Sequence, residues 1–95
     1  MYKSIKASEL KFLIGKVNII DIRKNFVFNL GNIPGSKNVP MAFLMSDPGK
    51  YLKKEEEYYI YCMQGFESIK VCDKLVKKGY KVVNVLGGYH DYLTG

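Results

Sequence analysis

One cysteine stands where a strand should give way to a loop. The stretch is Tyr58-Tyr59-Ile60-Tyr61-Cys62-Met63-Gln64-Gly65-Phe66-Glu67-Ser68. Tyr58 to Tyr61 are aromatic or β-branched and read as a buried strand. Cys62 falls at the strand's C-terminal end. Gly65 lets the chain turn tightly, and Ser68 suits the N-cap of a helix. Ile69, Cys72, Leu75 and Val76 recur at helical spacing, and Gly79 after Lys77-Lys78 is a stop signal, so a helix is expected from about 68 to 78. In an open α/β sheet, ligands bind at such strand tips. A tight loop feeding a helix turns N–H groups inward, and the helix N-terminus adds partial positive charge. Both favour an anionic sulfur, which is the nucleophilic form. The alternative is a buried, inert cysteine.

Other residues with chemical potential are fewer. Cys72 lies on the apolar face of the expected helix, which predicts core packing. A Cys62–Cys72 disulfide needs Cα atoms within about 7 Å and facing side chains, a poor match to loop-to-helix geometry. His90 is the only histidine, and an exposed surface position is expected for it. No Cys/His spacing suggests a metal, and no cofactor is expected. Asp21 and Arg23 fall at the end of another strand, where they are expected to brace the loops beside Cys62. Tyr61, next to Cys62, is expected to be core or to shape the pocket.

The elements that position these residues can be read from pattern. Tyr2 to Ile5 reads as a short edge strand, and Ser8 to Ile14 as a short helix capped by Ser8 and stopped by Gly15. Val17 to Ile22 is mostly β-branched and reads as a buried parallel strand. Phe26 to Leu30 allows one or two helical turns, and Pro34-Gly35 suits a type II turn. Lys37 to Val39 reads as a strand and Met41 to Met45 as a helix, ended by Ser46-Asp47-Pro48-Gly49. Lys81 to Leu86 is a further buried strand. Gly87-Gly88 then turns the chain into a last helix over Tyr89 to Leu93. Alternating strands and helices predict a three-layer α/β domain with a mainly parallel sheet, in which residues 17–22, 58–62 and 82–85 are parallel neighbours.

Composition bounds the function. Ninety-five residues suit one domain, 1–95. Apolar content of 47% with 25% charged residues is ordinary for a soluble protein. No apolar run approaches the roughly 20 residues of a transmembrane helix. Lys11 and Gly15 break the only signal-like run, Leu10 to Ile14. With two cysteines there is no disulfide framework, and a cytoplasmic location is expected. The net charge of +6 raises nucleic-acid binding. The lysines are dispersed, however, and Lys53-Lys54 runs straight into Glu55-Glu56-Glu57 as a solvated connector. Neither nucleic acid nor membrane is therefore expected as a partner. A basic field can still steer small anions.

Taken together, Asp21-Ile22-Arg23, Gly31-Asn32-Ile33-Pro34-Gly35-Ser36-Lys37-Asn38-Val39-Pro40, Tyr61 to Ser68, Gly79-Tyr80 and Leu86-Gly87-Gly88 resemble a single-domain rhodanese across about residues 2 to 93. The resemblance implies a five-stranded parallel sheet flanked by helices. It also implies transfer of a sulfane sulfur, from thiosulfate or a low-molecular-weight persulfide, to a thiol or cyanide acceptor. Cys62 matches the persulfide-carrying position. Met63, Gln64, Gly65, Phe66, Glu67 and Ser68 match the loop whose amides surround that sulfur. The chain departs from the family pattern at several places. Asn32 stands for a histidine, Val27-Phe28 for an acidic–aromatic pair, and Tyr92 for a tryptophan. Glu67 occupies a loop position that often carries arginine in thiosulfate-using members, and Met63 one that often carries arginine or another polar residue. The loop thus has a carboxylate and no cation, so a dianion meets a negative rim. A related phosphatase branch needs an arginine where this chain has Ser68, which argues against phosphoryl transfer. The alternative to an enzyme is a non-catalytic binding or redox-sensing module on the same fold.

Overall fold

The computed structural model describes residues 1–95. Five strands alternate with helices: β1 (Lys3–Lys6), α1 (Ala7–Leu10), β2 (Asn18–Asp21), α2 (Asn25–Leu30), β3 (Ser36–Asn38), α3 (Met41–Ser46), β4 (Glu57–Tyr61), α4 (Phe66–Lys77), β5 (Lys81–Leu86) and α5 (Gly88–Thr94). One-turn 3-10 helices come after α1 at Lys11–Leu13 and after α3 at Pro48–Lys50. The five strands form one sheet in the order β1-β5-β4-β2-β3, and every pairing is parallel. Parallel strands bury both faces, which is why Ile19-Ile20 and Val82-Val83 are apolar without alternation. β4 lies at the centre. Its tip therefore has strand ends on both sides, and the loop after it is walled in by its neighbours.

The two faces carry separate cores. Ile20, Ile22, Tyr58, Ile60, Cys62 and Val82 pack with Leu44 of α3 and with Val71, Cys72 and Leu75 of α4. Ile19, Tyr61 and Val85 pack with Ala7 and Leu10 of α1 and with Ile33, while Tyr89 and Tyr92 of α5 close that side. Alternation along β4 thus sends Cys62 towards α4 and Tyr61 towards α5. Tyr61 does not shape the pocket over Cys62. Its hydroxyl accepts the Ile33 N–H at 3.1 Å and bonds Ser36 Oγ at 3.0 Å on the opposite face. Burial leads the causes that push this phenol above its ordinary range.

Two expected caps move. α1 starts at Ala7 with Lys6 as N-cap, where the Lys6 N–H donates to Glu9 Oε1 at 3.1 Å. Ser8 lies inside the helix. β1 runs directly into that helix, which leaves no turn for Ser8 to cap. α4 starts at Phe66 with Gly65 as N-cap, two residues before the expected start. Ser68 is in its first turn, because its N–H is drawn to a sulfur. Tyr92 stacks on Tyr89 at 6.0 Å between ring centroids.

Candidate active site

The turn from β4 to α4 is set by Gly65, whose φ of 94° is the left-handed region that L side chains avoid. A Cβ there would also lie 2.9 Å from the Gly87 nitrogen. The chain folds back so that Cys62 Sγ lies under the first turn of α4. Gly65 N–H donates to it at 3.1 Å and Ser68 N–H at 3.3 Å. The thiol is also 3.5 Å from Ser68 Oγ, to which it donates when protonated. The amides of Met63, Gln64, Phe66 and Glu67 have no acceptor within the protein. An unfilled set of N–H groups at a helix start is a cradle for a negatively charged atom.

A second element holds this loop from behind. Tyr89 N–H donates to the Cys62 carbonyl and His90 N–H to the Met63 carbonyl, both at 2.9 Å. In a trans peptide the C=O and the following N–H point opposite ways. With those carbonyls fixed on α5, the Met63 and Gln64 amides are turned away from it. Gly88 permits this approach, because a Cβ on it would meet the Cys62 carbonyl oxygen at 2.4 Å. His90 is exposed and pairs with Asp91 through Nδ1 at 3.2 Å, so only its backbone serves the loop.

Asp21 and Arg23 brace the other wall. The guanidinium donates to both Asp21 carboxylate oxygens, with Nη2 to Oδ2 at 2.6 Å, and to the Gly31 carbonyl at 2.7 Å. It lies over the Tyr89 ring at 4.3 Å and reaches Met63 Sδ at 3.9 Å. Burial by itself would lower the Arg23 pKa, but the Asp21 carboxylate outweighs it and the net shift is upward. Arg23 is thus held by Asp21, the Gly31 carbonyl and the Tyr89 ring, and is buried. Asn38 donates to the Asp21 and Arg23 carbonyls at 3.0 and 2.8 Å, joining β3 to the same brace.

The mouth above Cys62 is a depression of about 260 Å³ lined by Cys62, Met63, Gln64, Phe66 and Glu67. Phe66 is 70% exposed and Met63 48%, so the rim is apolar and open. Glu67 is the only charged group lining it. The expected loop residues gather around one sulfur, and Asp21 and Arg23 stand behind the Met63 wall. Cys72 is fully buried and unbridged. Sequence reasoning missed the amide contacts from α5. Gly87-Gly88 was legible as a turn, but which loop it would touch depends on β4 and β5 being neighbours.

A family model described as a rhodanese-like domain matches residues 6–94. The chain belongs to that family. It is 30% identical over 95 residues to thiosulfate sulfurtransferase GlpE of Coxiella burnetii, covering 97% of this chain and 88% of that one. It is 33% identical over 89 residues to YtwF of Bacillus subtilis, covering 90% and 85%. Among solved structures, a rhodanese-like domain protein from Staphylococcus aureus superposes with a TM-score of 0.85 at 38% identity, over 95% of this chain and 90% of that one. A rhodanese-related protein from Thermoplasma volcanium gives 0.87 at 28% identity, over 98% and 92%. The all-parallel sheet of this chain is the rhodanese fold. No helix is long and apolar enough to cross a membrane.

Proposed function

We propose that this rhodanese-like protein is a sulfurtransferase that carries a sulfane sulfur as a persulfide on Cys62. The observation that carries the reading is the pair of N–H bonds from Gly65 and Ser68 onto Cys62 Sγ, beside further loop amides that lack acceptors. A cradle of this kind stabilises an anionic sulfur without a general base. Kinship with a protein named thiosulfate sulfurtransferase supports the same chemistry.

The Cys62 thiolate attacks the outer sulfur of the donor. With thiosulfate, the S–S bond breaks and its electron pair leaves with sulfite. With a low-molecular-weight persulfide, the leaving group is the donor thiolate. The outer sulfur then lies among the free amides of Met63, Gln64, Phe66 and Glu67, while Gly65 and Ser68 retain Sγ. A thiol or cyanide attacks that outer sulfur and releases the Cys62 thiolate. Glu67 and the apolar rim favour a persulfide donor over dianionic thiosulfate.

Intact-mass analysis after incubation with thiosulfate and, separately, with glutathione persulfide tests the proposal. The expected result is gain of one sulfur on Cys62 that cyanide removes as thiocyanate. A protein that gains no sulfur from either donor overturns it.

A further inference from the structure

A second surface adjoins the mouth. Met41, Ala42 and Met45 of α3 and Lys70, Val71 and Lys74 of α4 line a shallow groove of about 200 Å³. Its floor is apolar and its rim carries two ammonium groups. Neither Lys70 nor Lys74 forms an ion pair. Phe66, which lines the mouth over Cys62, begins the ridge Phe66–Lys70–Lys74 at i, i+4, i+8 spacing on α4. The groove therefore lies along the helix whose first turn covers the Cys62 sulfur. Two unpaired cations over an apolar floor complement a segment with carboxylates and apolar side chains, and a chain of net charge +6 attracts such a partner from a distance.

We propose that this groove docks the sulfur acceptor, a protein whose cysteine lies in an acidic, partly apolar segment. The inference rests on the sulfurtransferase reading of Cys62. Lys70 and Lys74 lie about 6 and about 12 Å along the axis from Phe66 at the helical rise. An extended segment advances about 3.3 Å per residue, which sets the complementary carboxylates about two and four residues from the acceptor cysteine. The partner thiolate attacks the outer sulfur of Cys62–Sγ–SH. The bond from Sγ to that sulfur breaks, Sγ leaves as thiolate, and the partner departs as R–S–SH. No oxidant or reductant is consumed.

The test uses two synthetic peptides with one cysteine and the same apolar residues, carrying glutamates or lysines at the second and fourth positions from it. Protein loaded from glutathione persulfide is mixed with each peptide, and loss of sulfur from Cys62 is followed by quenched mass spectrometry. The glutamate peptide is expected to discharge it about tenfold faster at low ionic strength, with the preference shrinking as salt is added. K70E/K74E should invert the preference. K11E/K16E, which changes net charge equally on the face of the sheet covered by α1 and α5, should keep it. Equal rates for the two peptides, or the same response in both double variants, overturn the proposal. Fluorescence anisotropy of cysteine-to-serine versions of the peptides on unloaded protein reads the groove alone. If Cys62 takes up no sulfur, the functional reading fails, and anisotropy still decides the groove: selective binding of the acidic peptide supports it, and no selectivity removes it.

Discussion

The protein has two cysteines, and both are almost completely out of solvent: Cys62 is 3% exposed and Cys72 0%. Neither is bridged. Their surroundings differ. Cys62 receives N–H groups from Gly65 and Ser68 and borders an open depression. Cys72 sits in the apolar layer between the sheet and α4, where burial, then the neighbouring Asp73 and Cys62, push its thiol up to about 12. Fractional burial does not separate the proposed nucleophile from the packed thiol. Donors aimed at the sulfur and a path for the second reactant do.

The sharpest way to break this contrast is to exchange the roles. Cys62→Ser is expected to lower sulfur transfer by at least roughly 10³-fold, since the acceptor of the sulfur is gone. Cys72→Ala should retain transfer close to the parent rate, and its cost should appear as a lower melting temperature. Thiocyanate formation from a persulfide donor measures both. Transfer that survives in Cys62→Ser would end the assignment.

A smaller effect probes how the loop is held. Gly88 has φ of 58°, and its added Cβ would meet the Cys62 and Met63 carbonyl oxygens at 2.4 and 2.8 Å. Gly88→Ala must push α5 back and release the Tyr89 and His90 amides from those carbonyls. Displacements of this size at a reacting centre cost roughly 10–100-fold, so kcat/KM should fall by that order. Gly15 also has positive φ, 85°, but nothing lies within 4 Å of its added Cβ. Gly15→Ala should cost about 1 kcal/mol in urea unfolding through backbone strain alone and leave kcat/KM as it was. Equal kinetic losses in the two variants would show that the α5 contact supports the fold and not the loop.

Glu67 gives a smaller effect still. It is exposed, so water and salt screen its repulsion of an approaching dianion. Glu67→Arg is expected to raise kcat/KM for thiosulfate by about three- to tenfold, with the gain fading at high ionic strength. A persulfide donor of lower charge should gain less. Steady-state kinetics with both donors at two salt concentrations decide the matter. Equal gains for both donors would place the carboxylate's influence outside the mouth.

Much of this architecture was legible in the residues. The β-branched pairs Ile19-Ile20 and Val82-Val83 can only be satisfied by burial on two faces, which is a parallel-sheet property. The strand tip at Cys62, the turn at Gly65 and the helix after it read directly from residue type. What could not be read was set by packing between elements remote in sequence. Ser68 is a good cap by type, yet the sulfur of Cys62 captures its N–H, and the helix starts at Phe66 instead. Tyr61 adjoins Cys62 in sequence but lies on the opposite face, where Ile33 and Ser36 take its hydroxyl. The amides of Tyr89 and His90 reach the loop only because β5 pairs with β4.

The smallest expected effect belongs to the inert thiol. Cys72 ionises near 12 in the folded protein, against an ordinary value of 9.0. Above pH about 9 the unfolded chain therefore gives up this proton while the folded protein keeps it. Cys72 thus contributes stability that is complete below pH about 9 and declines until about 12, by at most about 1.4 kcal/mol per pH unit. Tyr2, whose phenol is also raised by burial, by Asp73 and by Cys72, adds a decline of the same sign, and the part due to burial and Asp73 persists without Cys72. Urea unfolding of the parent and Cys72→Ala at about pH 8 and about pH 10.5 separates the two contributions. At the lower pH the parent should be the more stable, because the alanine leaves a small cavity beside Leu75 and Val71. At the higher pH its advantage should shrink or reverse. Parallel losses in the two proteins would mean that the Cys72 thiol ionises as readily folded as unfolded. The apolar layer under α4 would then not be what keeps this thiol protonated.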